Sequence, residues 1–284
     1  MINQEEKYEL LDPKVDFIFK QIFGSVGNEE ILISFLNSIL KLEGNNEIKK
    51  VKLLDTHVNK DLLDDKSSIL DIRADIEEGI QINIEVQLIN EYNIEKRTLY
   101  YWSKMYGSQL KKGNKYNKLK KTITINILNF DYLEEINKYH SIFHLREDET
   151  GKILTDDIEI HILELLKLPQ IVTKDRLIKW LKFLTKIDRK EMEEIAMGEP
   201  TIKKAIEKLE YLSQDKEMRA IYERRLKEQL DRNSWLDGAM MKGMEKGIEK
   251  GKIEIARNML SLGIDILIIE KSTGLTEEEI KKLI

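Results

Sequence analysis

Cysteine is absent, which excludes disulfides, a thiolate zinc site and a cysteine nucleophile together. Histidine is nearly as scarce. His57, His140, His144 and His161 are the whole complement, and although His140 and His144 stand four apart, they match no catalytic metal motif, so surface or core placement is the ordinary reading. Long apolar runs are missing too. The longest, such as 266–269, fall far short of a bilayer span, and the opening Met-Ile-Asn-Gln-Glu-Glu-Lys has neither the basic region nor the apolar core of a signal peptide. No membrane partner and a cytoplasmic location are the default expectations. Nor is there an excess of positive charge, since 47 Lys and Arg face 52 Asp and Glu for a net charge of -5. A strongly basic chain is the usual footprint of backbone binding to nucleic acid. Its absence does not exclude an enzyme that sets acidic metal ligands in a locally basic groove.

What remains is a charge-rich chain of 284 residues, 41% hydrophobic and 35% charged, long enough for a sizeable core and one to three domains. Its centre is Asp71 to Gln87, two alternating strands around an acidic turn with a Gly. The second strand puts Ile80, Ile82, Ile84, Val86 and Leu88 on one face and Gln81, Asn83, Glu85 and Gln87 on the other. Asp71, Arg73 and Asp75 share a face of the first. An acidic residue on such a strand is most often the wet side of a sheet. Alternatively, pairing about residues 77–79 brings Asp71 and Glu85 within reach of one hard cation such as Mg²⁺.

In chain order, Asp12-Pro13 reads as a helix start, followed by an apolar stripe of Val15, Ile18, Phe19, Ile22 and Phe23 that Gly24 ends. Asp16 and Lys20 are four apart, the spacing of a solvated ion pair. A second helix is expected over 29–41, a strand within 48–59, a charged turn at 61–66, then the hairpin. A long helix with a basic and aromatic surface covers 90–112 and includes Lys96, Arg97, Tyr100, Tyr101 and Lys104. The β-branched run at 122–130 is the strongest strand signal. The helix before it makes a crossover, so this strand lies parallel to one neighbour. Residues 139–146 are expected to add an edge strand and 155–162 a further short strand or the lead into helix. Helices follow to the end, with a Gly-punctuated repeat at Gly238, Gly243, Gly247 and Gly251, read as a loose linker helix or a close-contact dimer face. Thr276 with Glu279 forms a capping box for the last helix. The last two helices have a helix-turn-helix outline, but their 22 residues or so are too few for a free-standing DNA-reading domain. The expected division is 1–165 for an α/β core with a mixed sheet flanked by helices, 166–235 for a helical domain, and 236–284 for the Gly-punctuated helix and terminal helical hairpin.

Several blocks, in order, resemble the PD-(D/E)XK nuclease superfamily, and within it the recombination-promoting nuclease/putative transposase family. They are Asp-Pro-Lys-Val-Asp-Phe-Ile-Phe-Lys-Gln-Ile-Phe-Gly at 12–24, Ile-Leu-Asp-Ile-Arg-Ala at 69–74 and Ile-Asn-Ile-Glu-Val-Gln at 82–87. Residues 96–106, 122–128 and 272–280 resemble it as well. The resemblance implies a restriction-endonuclease-like core and an Mg²⁺- or Mn²⁺-dependent DNA endonuclease of low sequence specificity, linked to recombination or mobile elements. It carries the two metal carboxylates onto Asp71 and Glu85, and places Asp16 where such nucleases supply a further acid. The motif lysine falls on Gln87, an amide that orients water but brings no charge. Arg97, Lys96 and Lys104 are the candidates for that charge, and the helix with Lys118, Lys120 and Lys121 for contacts to DNA phosphates. Two rivals stay open: a nuclease fold that binds or regulates without cutting, and a scaffold or homodimer built through the C-terminal helices.

Overall fold

The computed structural model describes residues 8–55, 71–170, 174–185 and 188–283; His57, the charged turn at 61–66, and residues 69 and 70 of the second family block lie outside them. The chain divides into two compact units, Met1–Arg225 and Leu226–Ile284. The boundary expected at residue 165 is therefore not where the contacts part.

In the first unit the elements run α1 (Asp16–Phe23), α2 (Glu29–Leu40), β1 (Val51–Leu53), β2 (Ile72–Ile76), β3 (Gln81–Gln87), α3 (Ile94–Ser108) and β4 (Thr122–Leu128). Then come β5 (His140–Phe143), β6 (Ile158–Glu164), α4 (Arg176–Leu184), α5 (Arg189–Ala196), α6 (Pro200–Gln214) and the start of α7 (Lys216–Ser261). The sheet has the order β1-β2-β3-β4-β6-β5. Its first three strands are antiparallel, β3, β4 and β6 are parallel, and β5 closes the edge antiparallel to β6. This is the mixed α/β core expected. Strand β6 departs in position only: it lies inside the sheet, parallel to β4, because residues 129–157 cross over to reach it.

Every β4 residue is buried, so both faces of the sheet are covered there. One face is apolar, with Ile72, Ala74, Ile82, Ile84, Ile123, Ile125 and Ile127 all at most 3% exposed. Gly24, just past α1, marks how closely that helix approaches the sheet: a Cβ there would lie 3.3 Å from Ile72 Cγ1. The stripe expected on α1 is fully buried. The helix starts later than Asp12-Pro13 suggests, at Asp16 behind Val15, and Asp12 instead accepts the Lys14 amide in a short turn (2.9 Å).

Helices α4 to α6 belong with α1 and α2. Trp180 of α4 packs between Phe23 and Phe35, with ring centroids 5.6 Å from each, and its indole N–H donates to Ser34 Oγ at 3.3 Å. Thr201 of α6 donates to the same hydroxyl at 2.8 Å. An amphipathic helix that finds its partner across 146 residues of sequence reads as a separate module until packing is known.

In the second unit, α7 continues through Gly238, Gly243, Gly247 and Gly251, and turns at Gly263 (φ +72°) into α8 (Ile266–Thr273) and α9 (Glu277–Lys281). Ala256, Ile269, Leu275 and Ile280 form its core, so the terminal module uses the end of α7 as well as the last two helices. The Thr276–Glu279 capping box is present. No helix among the described residues is long and apolar enough to cross a membrane.

Trp180→Ala removes a fully buried ring and should cost about 3–5 kcal/mol in urea unfolding of the whole first unit, in one transition. A loss confined to a separate transition of 166–225 would show that those helices fold apart.

Candidate metal and catalytic site

The hairpin pairs β2 with β3 through Ile72↔Ile84, Arg73↔Asn83, Ala74↔Ile82 and Asp75↔Gln81, around a turn at Glu77–Gly79 where Gly79 takes φ +78°. One step beyond Ile72↔Ile84 the same register sets Asp71 opposite Glu85, where cross-strand side chains meet on one face. Strand β4 continues that face, because Asn83↔Thr124 and Glu85↔Asn126 are in register. The face is not wet. Helix α3 lies over it: Thr98 Oγ1 donates to Asn126 Oδ1 (3.1 Å) and Trp102 Nε1 to the Thr122 carbonyl (3.1 Å). Glu85 is left 2% exposed, with Asn83 and Gln87 buried beside it.

Burial of a carboxylate has a cost that shows here directly. Neither oxygen of Glu85 accepts an aligned hydrogen bond, and Asn83 Oδ1, Gln87 Nε2 and Thr124 Oγ1 are also buried without partners. Desolvation pushes the Glu85 carboxyl up to about 7, opposed first by the Arg97 charge; nearby Asp71 adds to the rise, and the amides of Asn83 and Gln87, close but aligned with neither oxygen, reduce it. Arg97 Nε lies 3.4 Å from Glu85 Oε2, while its Nη1 is 3.8 Å from Glu91 and its guanidinium sits over the Tyr101 ring at 5.5 Å. Asp71 is also raised by desolvation, against the charge of Lys20 and the Val86 amide, which donates to its Oδ2 at 2.9 Å. Its Oδ1 lies 3.3 Å from Lys20 Nζ.

Two facing carboxylates, that of Glu85 with both oxygens buried and unbonded, and no sulfur or imidazole among them, are a donor set of the kind Mg²⁺ or Mn²⁺ takes. The residues fit such an ion. Asp16 contributes at one remove: its Oδ2 is 3.8 Å from Lys20 Nζ. Asp16, Asp71 and Glu85 do not all come within 4.8 Å of one another.

The cations are distributed differently from the expectation. Arg97 reaches the site from α3. Lys20, taken in sequence as half of a solvated pair with Asp16, reaches it from α1, and the only sequence signal for it was that four-residue spacing. Lys96 is exposed on α3, Lys104 lies 5.4 Å over the Tyr100 ring, and Lys118 and Lys120 are exposed before β4. Lys121 is on the opposite face. It binds Asp156 Oδ1 at 3.0 Å and Glu159 Oε2 at 2.7 Å, about 16 Å along the strand from the level of Glu85.

That opposite face holds a second polar cluster. His144, Asp156 and Glu159 are the one trio of His, Asp or Glu among the described residues whose ligand atoms all lie within 4.8 Å of one another, which makes them a candidate metal-binding group. Glu159 there is saturated, taking His161 Nε2 on Oε1 (2.7 Å) and both Lys121 and His144 (3.1 Å) on Oε2. With the Glu159 carboxylate facing its Nε2, His161 carries its proton there and accepts from His140 Nε2 on Nδ1 at 2.8 Å. The ammonium of Lys121 already supplies the charge an ion would bring.

Burial pushes the His140 imidazole down to about 4, with His161 and Lys41 adding to the fall and Asp175 and Glu159 opposing it. A base depressed by folding contributes stability above its unfolded pKa and loses it as pH falls toward the folded one. Between pH 6.5 and 4.5, the native chain is therefore expected to lose more melting temperature than His140→Gln; the Glu85 titration, of opposite sign, is common to both and cancels. Parallel melting curves of the two proteins across that range would exclude the assignment. For the first site, Glu85→Gln replaces an unsatisfied carboxylate by a neutral amide. It should melt about 2–4 °C above the native chain at pH 8 in EDTA, and millimolar Mg²⁺ or Mn²⁺ should raise the melting point of the native chain alone. An equal metal shift in the variant would remove Glu85 from the ligand set.

Comparison with characterised proteins and with solved structures gives no match. Family models do match, that of the Rpn/YhgA-like nuclease family C-terminal HTH domain over residues 249–284 and that of the PD-(D/E)XK nuclease family transposase over residues 13–239. The second covers the whole sheet, both helices that bring cations to Asp71 and Glu85, and the helices packed behind them. The chain belongs to the PD-(D/E)XK nuclease family of transposases.

Proposed function

We propose that this protein is a DNA endonuclease that hydrolyses phosphodiester bonds with Mg²⁺ or Mn²⁺ and little sequence preference, acting in the cytoplasm. The observation that carries the reading is the pair of orphaned Glu85 oxygens facing Asp71. Asp71 and Glu85 would hold the ion, which when bound supplies Lewis acidity toward a phosphate oxygen and a more acidic water. Arg97 opposes the rise that burial imposes on the Glu85 carboxyl and so favours its ligand form. The Val86 amide and Lys20 hold Asp71 toward the same point. The Gln87 amide N–H group lies beside Glu85 without an aligned acceptor and is suited to orient a water by donating to its oxygen. Exposed Lys96, Lys118 and Lys120, with Lys104 on α3, are suited to phosphates and read no bases, which supports low specificity. A link to recombination or mobile elements rests on the family description alone.

A second reading has its own observation. Gln87 replaces the motif lysine and Glu85 is held by Arg97, as in a nuclease fold that binds DNA without cutting it. Self-association is compatible with either reading, because α7 exposes Leu230, Met240, Met244, Ile248 and Ile255, apolar residues that a second copy in a homodimer would cover.

Supercoiled plasmid separates the two readings. With Mg²⁺ or Mn²⁺ the native chain is expected to nick and linearise it, and Asp71→Asn and Glu85→Gln each to slow cleavage at least about 100-fold. Cleavage undiminished in both variants would remove the site from the reaction. Plasmid that is bound but never cut favours the second reading.

A further inference from the structure

We propose that Lys20 supplies the positive charge that the motif's last position lacks, contacting the phosphate group at the reacting end of the DNA while Asp16 and Asp71 hold it in place. This rests on the nuclease reading.

A phosphodiester brings negative charge to a site that presents Asp16, Asp71 and Glu85, one more carboxylate than a divalent ion would offset, so a cation of the chain facing it is favoured. Gln87 cannot be that group, since an amide has no charge to give. Arg97 is held by Glu85, Glu91 and the Tyr101 ring together. Arg73 points along the hairpin to Gln81 Oε1 at 3.1 Å and to Ser108. Lys14 is a buried partner of Asp12 at 3.1 Å.

Lys20 comes from α1 and is close to Arg97 in its distances to carboxylates and in exposure. Arg97, however, is a planar fork that also lies over the Tyr101 ring, whereas Lys20 is a compact charge on a flexible stem. Its contacts to Asp71 and Asp16, 3.3 and 3.8 Å, are longer than the roughly 2.7–2.9 Å of locked charge-assisted hydrogen bonds. The side chain is 31% exposed against 16% for Asp71, so Lys20 is the more open to solvent of the pair. A compact charge on a flexible stem can keep Asp71 in reach and still turn toward an incoming phosphate. Local sequence explains the position. With Ile18, Phe19, Ile22 and Phe23 buried, Asp16 and Lys20 are left one turn apart on the other edge of α1. Gly24 then lets the end of that helix come close to Ile72, the residue after Asp71, where an added Cβ would make a tight contact at 3.3 Å.

The test uses the full chain and two readouts, single-turnover cleavage of plasmid in Mg²⁺ and the salt dependence of binding to a short DNA duplex in EDTA, followed by fluorescence anisotropy. Lys20→Gln is expected to slow cleavage about 100-fold and to lower the slope of log affinity against log salt by about one, the signature of one lost phosphate contact. Lys20→Arg should keep the slope. Native-like cleavage and slope in Lys20→Gln overturn the proposal. Gln87→Lys in the otherwise native chain tests the same point without disturbing α1: cleavage within a few-fold of native supports a charge already present, and a gain of tenfold or more shows that it was missing and overturns the proposal. A native chain that binds duplex but cuts nothing in Mg²⁺ or Mn²⁺ ends the nuclease reading alone, and the slope for Lys20→Gln still decides whether Lys20 meets phosphate.

Discussion

A carboxylate buried without hydrogen-bond partners is the constraint around which the first unit is arranged. Removing Glu85 from water is unfavourable by several kcal/mol in a typical interior, and the register of the hairpin adds to that by setting Asp71 opposite it. Helix α3 offsets part of the cost with Arg97, while the Val86 amide and Lys20 of α1 steady Asp71 in turn. The polar residues of β4 continue the same logic. Thr122, Thr124 and Asn126 alternate with three isoleucines, so one strand faces an apolar layer and a polar seam at once. A sheet built only for stability would have filled that seam with aliphatic side chains. Its polarity is tolerated because α3 closes over it with side chains that bond to it, Thr98 and Trp102 among them.

Much of this was legible before any coordinates, and the reason is period two. Alternation from Ile80 to Leu88 and a Gly-containing acidic turn determine the hairpin, its register and the meeting of Asp71 with Glu85. What alternation cannot say is whether a polar face meets water or a helix. Glu85 and Gln87 have the pattern of a wet face, and only the packing of α3 makes them interior. The same parity misplaced Lys121. Read as part of a basic run with Lys118 and Lys120, it is one residue out of phase with Thr122 and so belongs to the face of Ile123 and Glu159. Lys20 was hidden for a different reason. Its partner Asp71 is 51 positions away (71 − 20), and a four-residue spacing to Asp16 offered a sufficient local explanation.

Composition also misled about modules. Helices after residue 165 are short, charged and amphipathic, with nothing to say that their apolar faces meet α1 and α2. Trp180 lies between Phe23 and Phe35, so the aromatic joint of the unit is assembled from both ends of its sequence. In the second unit the glycines of α7 do not break the helix, although each is less favourable than Ala by about 1 kcal/mol in a helix interior. Gly263 and Gly274, which adopt positive φ, are the ones that turn the chain. The difference lies in context: the first four fall within a repeat rich in good helix formers such as Met, Glu and Lys, and the last two stand at helix ends where an αL residue closes the final turn.

The two polar clusters on opposite faces of the sheet show why proximity of ligand atoms is a weaker guide than satisfaction. His144, Asp156 and Glu159 are the tighter group, yet Glu159 is bonded by three donors and its carboxyl is held well below the usual range, burial notwithstanding, by His161 and Lys121. An ion entering there would have to displace an ammonium already at 2.7 Å, exchanging one favourable contact for another. At Glu85 the contact to displace is the looser one of Arg97 Nε, 3.4 Å from Oε2 and not aligned as a hydrogen bond. The carboxyl is raised toward neutrality, its oxygens are unbonded, and the guanidinium beside it is shared with Glu91 and Tyr101. A divalent cation would therefore gain most of its binding energy at the site that is unstable without it, which is the thermodynamic reason to look for chemistry on the α3 face of the sheet and for structure on the other.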